Sequence, residues 1–187
     1  DFTGSTYQGG AYFTGSIYKS GAYFTDSTYQ GGADFSGSTY KSWANFTDST
    51  YQGGADFSGS TYQWAYFDGS TYQGRADFRS STYQEGAYFD DSTYKSWADF
   101  SGSIFYQKVS FGSDGDNSSF SRFTDCAPQF YDKTIHKNTL FGSANNDFTV
   151  DIDKGYPINL NSEGLPLGCK FLTSEQKEYL EGKLQEI

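Results

Sequence analysis

The chain of 187 residues contains no methionine, one histidine, two cysteines and three prolines. A single histidine leaves only one possible base for a Ser-His-Asp or Cys-His arrangement, and the two cysteines do not have zinc-site spacing. Lys and Arg number 13 against 23 Asp and Glu, so the net charge of -10 argues against a phosphate-binding groove. No apolar run approaches the length of a transmembrane helix. These shortages exclude most enzyme, nucleic-acid-binding and membrane-spanning classes.

The remaining candidates for chemistry are isolated. His136 lies in a Lys-rich segment with no nucleophile motif beside it, so we expect a surface position. The insert Asp114-Gly115-Asp116-Asn117-Ser118 begins like a calcium loop but has Ser119 at position six and Asp125 at position twelve, which favours a surface turn. We therefore predict no enzymatic activity, no cofactor and no metal site.

Aromatic residues are abundant, at 20% of the chain, and they are periodic. Phenylalanine recurs every 11 residues with one step of 10, and a tyrosine lies between successive phenylalanines. The phenylalanines are Phe2, Phe13, Phe24, Phe35, Phe46, Phe57, Phe67, Phe78, Phe89 and Phe100. A fixed period of this kind predicts a repeat architecture in which stacked neighbours form the core.

Side chains between the phenylalanines alternate with twice that period. Before Phe, even units carry mostly Asp (Tyr12, Asp34, Asp56, Asp77, Asp99), whereas later odd units carry mostly Tyr (Tyr23, Asn45, Tyr66, Tyr88). Because residues stacked on one face should resemble one another, one coil comprises two units, or about 22 residues. The fold class is therefore all-β, a β-solenoid with an aromatic core. This period predicts that Trp43 and Trp64 lie on adjacent coils of one corner.

Each unit contains two five-residue steps and a spacer, as in Ala33-Asp34-Phe35-Ser36-Gly37, then Ser38-Thr39-Tyr40-Lys41-Ser42, then Trp43. These steps resemble the pentapeptide-repeat family over about residues 1–107. The resemblance implies a right-handed quadrilateral β-helix with the third residue of each step at its centre. Two departures are the tyrosines in alternate steps and the spacers, which we expect to form bulged corners.

After residue 107 the pattern loosens. We predict an irregular continuation of the solenoid over 108–143 and a C-terminal cap over 144–187, with a short strand at 147–152. Thr173, Ser174, Glu175 and Gln176 have the order of a capping box, which predicts a helix near 174–186 across the open end of the tube. Cys126 and Cys169 are candidates for a disulfide.

Three outward columns are candidate surfaces. The acidic column, Asp34, Asp56, Asp77 and Asp99, either binds a cation or basic partner or bonds turn amides on a solvated face. The aromatic residues Tyr23, Tyr66, Tyr88, Trp43 and Trp64 either contact protein or sugar, or fold over a neighbouring coil. The third column consists of Thr6, Thr28, Thr50, Thr71 and Thr93, and it resembles an ice-binding face interrupted by Gln.

These patterns favour a non-enzymatic structural repeat protein that presents ladder surfaces for protein contact. Since no cap is visible before Phe2, we expect this edge to dock either on another subunit, giving end-to-end stacking into a filament, or on upstream sequence. The chain itself is one possible protein partner, end to end or laterally, and we expect no nucleic acid and no membrane insertion. The alternative is an acidic binding protein of the pentapeptide type that mimics DNA and binds topoisomerases, and ice binding is a weaker one. The cysteines and the glycosylation triplets at Asn45 and Asn117 favour an extracellular location.

Overall fold

The computed structural model describes residues 1–112 and 119–186, and it shows a four-sided solenoid of parallel strands. Face A is a six-stranded sheet of Thr6–Tyr7 (β1), Thr28–Tyr29 (β5), Thr50–Tyr51 (β8), Thr71–Tyr72 (β11), Thr93–Tyr94 (β15) and Arg122–Phe123 (β19). Face B is a five-stranded sheet of Ala11–Tyr12 (β2), Ala33–Asp34 (β6), Ala55–Asp56 (β9), Ala76–Asp77 (β12) and Ala98–Asp99 (β16).

Faces C and D form one ten-stranded sheet, because two longer strands, Thr39–Asn45 (β7) and Thr61–Tyr66 (β10), continue through the corner between them. Face C also contains Ile17–Tyr18 (β3), Thr82–Tyr83 (β13), Ile104–Phe105 (β17), Leu140–Phe141 (β22) and Lys170–Phe171 (β23). Face D also contains Ala22–Tyr23 (β4), Ala87–Tyr88 (β14) and Val109–Ser110 (β18). Tyr131–Asp132 (β20) and Lys137–Asn138 (β21) form a separate antiparallel hairpin.

Strand register confirms the coil of about 22 residues. Thr6 pairs with Thr28, and Thr28 pairs with Thr50, a step of 22 in each case. The regular part comprises about five coils, as the repeat count predicts.

The single 10-residue unit produces a bulge at one corner. In β10 only Gln63 lies between Tyr62 and Trp64, whereas the partner β7 has two residues between Tyr40 and Trp43, and the register shifts there. The extra residue is therefore absorbed at the corner, as we expected for a spacer.

Aromatic rings fill the centre in four columns parallel to the solenoid axis. Within a column the rings are nearly parallel, as for Phe35 and Phe57, whose centroids are 5.1 Å apart with an interplanar angle of 2°. Phenylalanines of adjacent columns meet edge to face, as for Phe46 and Phe57 at 5.1 Å and 77°. Such pairs contribute about 0.5–1.5 kcal/mol each beyond the area they bury. The core is thus one continuous aromatic stack.

The tyrosine columns carry their hydroxyls into this core. Among the described residues, six buried tyrosine hydroxyls have no hydrogen-bond partner: those of Tyr29, Tyr40, Tyr51, Tyr72, Tyr83 and Tyr94. Burial raises the pKa of Tyr72 well above 10, so this phenol remains neutral at any physiological pH. In the last coils the same positions hold Phe105 and Phe123, which lack the hydroxyl.

Serine columns bond neighbouring coils at the two turns of each coil. The Ser70 hydroxyl donates to the Phe46 carbonyl at 3.0 Å and accepts from the Ser49 N–H at 3.2 Å. The Ser60 hydroxyl accepts from the Ser38 N–H in the same way at the opposite turn. This explains why the step after a turn begins with Ser while the step after a spacer begins with Ala.

The two turns also require a residue with a left-handed backbone two places after Phe. These residues have φ between 51° and 70°: Gly4, Gly15, Asp26, Gly37, Asp48, Gly59, Gly69, Ser80, Asp91 and Gly102. Glycine adopts this conformation without strain, and Asp tolerates it better than most residues. The Gly and Asp alternation noted in the sequence is therefore partly a turn requirement.

Residues after the fifth coil continue the stack with two insertions. One lengthens the step from Thr93 to its partner Arg122 to 29 residues, and the calcium-like segment and Asn117 lie outside the described residues. The other is the β20–β21 hairpin, placed between Phe130 and Thr139. The predicted strand at 147–152 is reduced to single parallel bridges, Ser110 to Asp147 and Ser121 to Val150.

The predicted C-terminal helix is confirmed as Ser174–Gln185 (α1), with Thr173 and Gln176 forming the capping box. Its position differs from the expected one, because its side chains contact face C instead of the end of the tube. Glu181 accepts a hydrogen bond from Tyr106, and Leu184 lies beside Thr61. No described residue of α1 is buried, so the helix is a strap along face C.

The predicted disulfide is not formed. Cys126 and Cys169 are free thiols in this structure, with Cys169 buried and its Sγ 3.6 Å from the Phe130 carbonyl oxygen. Burial raises the pKa of the Cys169 thiol to about 11, so it remains protonated. The thiol of Cys169 fills core space beside Phe130 and does not crosslink the cap.

A buried serine should be essential for coil stacking. We expect Ser70→Ala to lower the free energy of unfolding by about 2–3 kcal/mol, because it leaves a buried N–H and a buried carbonyl without partners. Urea denaturation measures this, with Ser20→Ala as the control at an exposed serine. Equal effects of the two substitutions would contradict the role of the serine column.

Removing an unpaired hydroxyl should have the opposite effect. We expect Tyr72→Phe to raise the free energy of unfolding by about 1 kcal/mol, since burial of an unpartnered hydroxyl is unfavourable. The matched control is Tyr62→Phe, because the Tyr62 hydroxyl lies 3.4 Å from the Phe57 carbonyl, and we expect a smaller gain there. If thermal denaturation shows that Tyr72→Phe lowers stability more than Tyr62→Phe does, the Tyr72 hydroxyl is hydrogen-bonded in the folded protein.

Candidate functional site

The corner between faces C and D carries an aromatic strip, defined as Tyr23, Trp43, Trp64, Tyr66 and Tyr88. Trp64 pairs directly with Trp43, so these tryptophans lie on adjacent coils of one corner, as predicted. Tyr66 pairs with Asn45 on one side and with Tyr88 on the other. The strip therefore spans four consecutive coils.

Rings of the strip remain accessible at its outer edge. Trp43 is 52% exposed and Tyr23 is 40% exposed, so neither is folded away under a neighbouring coil. Tyr66 and Tyr88 are half-buried and stack on each other with centroids 5.3 Å apart. Because those two ring faces cover each other, the strip offers ring edges and the tryptophan surfaces for contact.

Where a glycine precedes the tyrosine by two residues, the ring covers it. A Cβ placed on Gly21 would lie 2.9 Å from the Tyr23 hydroxyl oxygen, and one on Gly86 would lie 2.7 Å from that of Tyr88. Trp97, on the opposite corner, is covered differently: the Arg75 guanidinium lies 4.4 Å from its ring centroid. Surface aromatics thus pack on the nearest spacer position.

The acidic column on face B bonds turn amides, the second of the two explanations considered from the sequence. Oδ1 of each Asp accepts the N–H two residues later, at 3.0 Å from Ser36 to Asp34 and 2.8 Å from Ser58 to Asp56. Asp99 is buried and accepts from both the N–H and the hydroxyl of Ser101. The column repeats because the turn repeats.

Asp77 in that column is also neutralised by cations. Arg79 donates to both of its carboxylate oxygens, at 2.9 and 2.6 Å, and Arg75 lies 3.6 Å away. Burial acts to raise the pKa of Asp77, but the Arg79 hydrogen bonds, with the positive charges of Arg79 and Arg75, outweigh it and lower the pKa.

A second acidic group surrounds the turn between faces D and A: Asp26, Asp48, Asp68, Asp90 and Asp91. Asp68 is half-buried, and its Oδ1 has no hydrogen-bond partner among residues 1–112 and 119–186. Burial, together with the negative charges of Asp90, Asp48 and Asp91, raises the pKa of Asp68 to about 6. In the part of the chain that the structure describes, no group of three or more His, Cys, Asp or Glu residues is arranged to hold a metal ion.

The other predicted sites have simpler environments. Asn45 accepts a hydrogen bond from the Thr47 N–H at 3.1 Å, the same turn contact that Asp makes elsewhere. This contact accounts for an Asn at position 45 without any role as a glycosylation site. His136 is exposed on the hairpin, and its Nδ1 lies 3.2 Å from the Tyr131 hydroxyl. The threonine column is in register on face A from Thr6 to Thr93.

Among the described residues, no helix has the length and hydrophobicity needed to cross a membrane.

These features define a four-sided parallel β-solenoid built from five-residue steps. Comparison with family profiles matches residues 20–61 to pentapeptide repeats. This match and the solenoid both support the resemblance of the repeats to the pentapeptide-repeat family. Comparisons with curated proteins and with solved structures give no significant match.

Stability should depend on pH through Asp68. Its pKa in the folded state, about 6, lies above the usual value near 3.8, so the stabilisation from protonation is present below about pH 4 and is lost as the pH rises through 6. The free energy of unfolding of the wild type should therefore fall between about pH 4 and pH 7. We expect Asp68→Asn to make this fall smaller by on the order of 1–2 kcal/mol, after allowance for solvent screening. Urea denaturation between about pH 4 and pH 7 measures the difference between variant and wild type.

The control for this experiment is Glu178→Gln, which removes an exposed carboxylate on α1. It should leave the pH dependence of the wild type unchanged. An Asp68→Asn curve parallel to that of the wild type would show that Asp68 ionises in the folded protein as freely as in the unfolded chain.

Proposed function

We propose that the chain is a non-catalytic repeat scaffold that binds protein through the aromatic strip. The observation that carries this proposal is the exposure of Trp43 and Tyr23 on a strip that continues through Trp64, Tyr66 and Tyr88. Tryptophan and tyrosine are enriched in protein interfaces and contribute disproportionately to binding energy. Their alignment along one corner over four coils supports a contact role.

The ladder geometry supports a rigid contact surface. Neighbouring coils are joined by backbone hydrogen bonds such as Phe46 N–H to the Tyr66 carbonyl at 2.8 Å, directly beneath the strip. Side chains on such strands lose little further backbone entropy when a partner binds. Rigid presentation favours a preformed interface over a surface that orders on binding.

Mimicry of DNA is less well supported. A DNA mimic requires freely exposed carboxylates in place of phosphates, whereas the carboxylates of Asp77 and Asp99 are buried and bonded to Arg79 or Ser101. An outward row of Tyr and Trp also has no counterpart on a phosphate backbone. The acidity of this chain therefore fits protein contact better than imitation of a duplex.

We also propose that a second copy of this chain is one candidate partner, through end-to-end stacking of coils. The glycosylation-type triplets of the sequence support the proposal of an extracellular location, whereas the free thiols of Cys126 and Cys169 do not add to it. The in-register threonines leave ice binding as the weakest alternative.

Photo-crosslinking tests the contact surface. With p-benzoylphenylalanine at position 43, we expect a specific crosslinked protein, which is the chain itself if the strip is a self-contact. Trp43→Gly with Tyr66→Asn should weaken the same association about tenfold or more, because both rings are lost. Both replacements occur naturally in these columns, at Gly21 and Asn45, so the fold should be retained.

The matched control places the crosslinker at position 17 and tests Ile17→Thr. Ile17 is 65% exposed on face C, and the next coil carries Thr39 in its place. Equal crosslinking from positions 43 and 17, or unchanged association in the double variant, would sink the proposal.

A further inference from the structure

Face B contains a groove that the aromatic strip does not use. It has a volume of about 310 Å³. Its floor includes Gly32 and Gly54, one wall carries Asp34 and Asp56, and Tyr12 and Arg75 lie at its two ends. The groove therefore combines a backbone floor, an aromatic end and three carboxylates, of which Asp77 is paired with Arg75.

The groove is open because the residue two positions after each spacer glycine is an aspartate and not a tyrosine. Elsewhere a tyrosine two residues later covers the spacer glycine, as Tyr12 covers Gly10. After Gly32 and Gly54 that position is Asp34 and Asp56, and both glycines are exposed. The site that the chain fills with a flat ring in other coils is left empty across two coils.

The next coil shows an occupied version of the same arrangement. There the spacer is Arg75 instead of glycine, and its guanidinium lies 3.6 Å from Asp77 and 4.4 Å from the Trp97 ring centroid. In the described part of the chain, Asp34 and Asp56 form no such ion pair. Two coils thus carry the carboxylate of this pattern without a cation at the spacer position, although the positive charge of Arg79 also acts on Asp56.

We propose that this groove binds arginine side chains of a basic protein partner. A planar guanidinium fits flat on the glycine floor, donates to the carboxylates of Asp34 and Asp56, and stacks on the Tyr12 ring, repeating what Arg75 does with Asp77 and Trp97. The inference rests on the proposed protein-contact function and adds the chemistry of the partner on face B.

Arginine fits better than the alternatives. A lysine ammonium cannot lie flat on the floor or donate in parallel to a carboxylate, so it gains only charge attraction. A neutral ring would fill the floor but leave both carboxylates without a cation. The net charge of -10 also favours encounter with a basic partner.

A substitution copied from the next coil can fill the groove with a side chain of the protein itself. A Cβ on Gly54 would come no closer than 3.9 Å to its nearest neighbour, the Arg75 carbonyl oxygen, and glycine there has no left-handed backbone. Gly54→Arg should therefore place a guanidinium beside Asp56, as Arg75 lies beside Asp77. Arg75→Gly makes the opposite change and extends the floor by one coil.

Calorimetric titration of the full chain with tetra-arginine and tetra-lysine peptides tests the proposal. We expect the arginine peptide to bind at least about tenfold more tightly than the lysine peptide. Asp34→Asn with Asp56→Asn should reduce its affinity at least about tenfold, since Asn keeps the turn contact, as Asn45 does, but removes the charge. Gly54→Arg should abolish the preference for arginine, and Arg75→Gly should strengthen it.

The control is Asp26→Asn, which removes an exposed charge at the turn between faces D and A. Equal affinity for both peptides, or the same loss from Asp26→Asn, would show nonspecific attraction to an acidic chain. Unchanged binding in Gly54→Arg, with a wild-type unfolding transition, would also overturn the proposal. Crosslinking from position 43 reports on another corner, so failure of the groove is distinguishable from failure of the aromatic strip.

Discussion

The structure depends on one match of distances. Parallel strands repeat at about 4.8 Å, and parallel aromatic rings pack at nearly the same separation. Ring centroids within a column are accordingly 4.9 Å apart for Tyr29 and Tyr51 and 5.1 Å for Phe57 and Phe78. Because backbone ladders and ring stacks share this period, each coil satisfies both at once. Serine hydroxyls, turn residues and close glycine contacts are arranged around that constraint.

That constraint also limits which surface positions are free for function. Asp34 and Asp56 are outward, yet each bonds a turn amide, so a repeated carboxylate alone does not indicate a binding site. The first glycine of the Gly-Gly corners is constrained in the same way: a Cβ on Gly53 would lie 2.6 Å from the Gly31 carbonyl oxygen. The spacer after it has no such close backbone contact and holds Gly, Arg or Trp. Both proposed contact surfaces involve this variable position.

Face C differs from the other faces because α1 covers part of it. Ile104 and Leu140, which replace the outward threonines of earlier coils, lie beside Leu180 of the helix, whereas Leu184 lies beside Thr61. The other faces have no such cover in the described part of the chain. The two proposed contact surfaces lie on face B and on the corner between faces C and D, where Leu184 near the end of α1 lies beside Gln63.

The sequence alone determined the period, the 22-residue coil, the inward Phe and Tyr, the pairing of Trp43 with Trp64 and the capping box at Thr173, because each depends on local pattern or on stacking of like on like. It could not place α1 along face C or keep Cys126 apart from Cys169, since those depend on how the irregular coils after Phe111 fold back. Nor could it show which of the carboxylates that accept a turn N–H are also paired with an arginine and which are not. That distinction requires the three-dimensional neighbours of Asp34, Asp56 and Asp77, which lie a full coil apart in sequence but side by side in space.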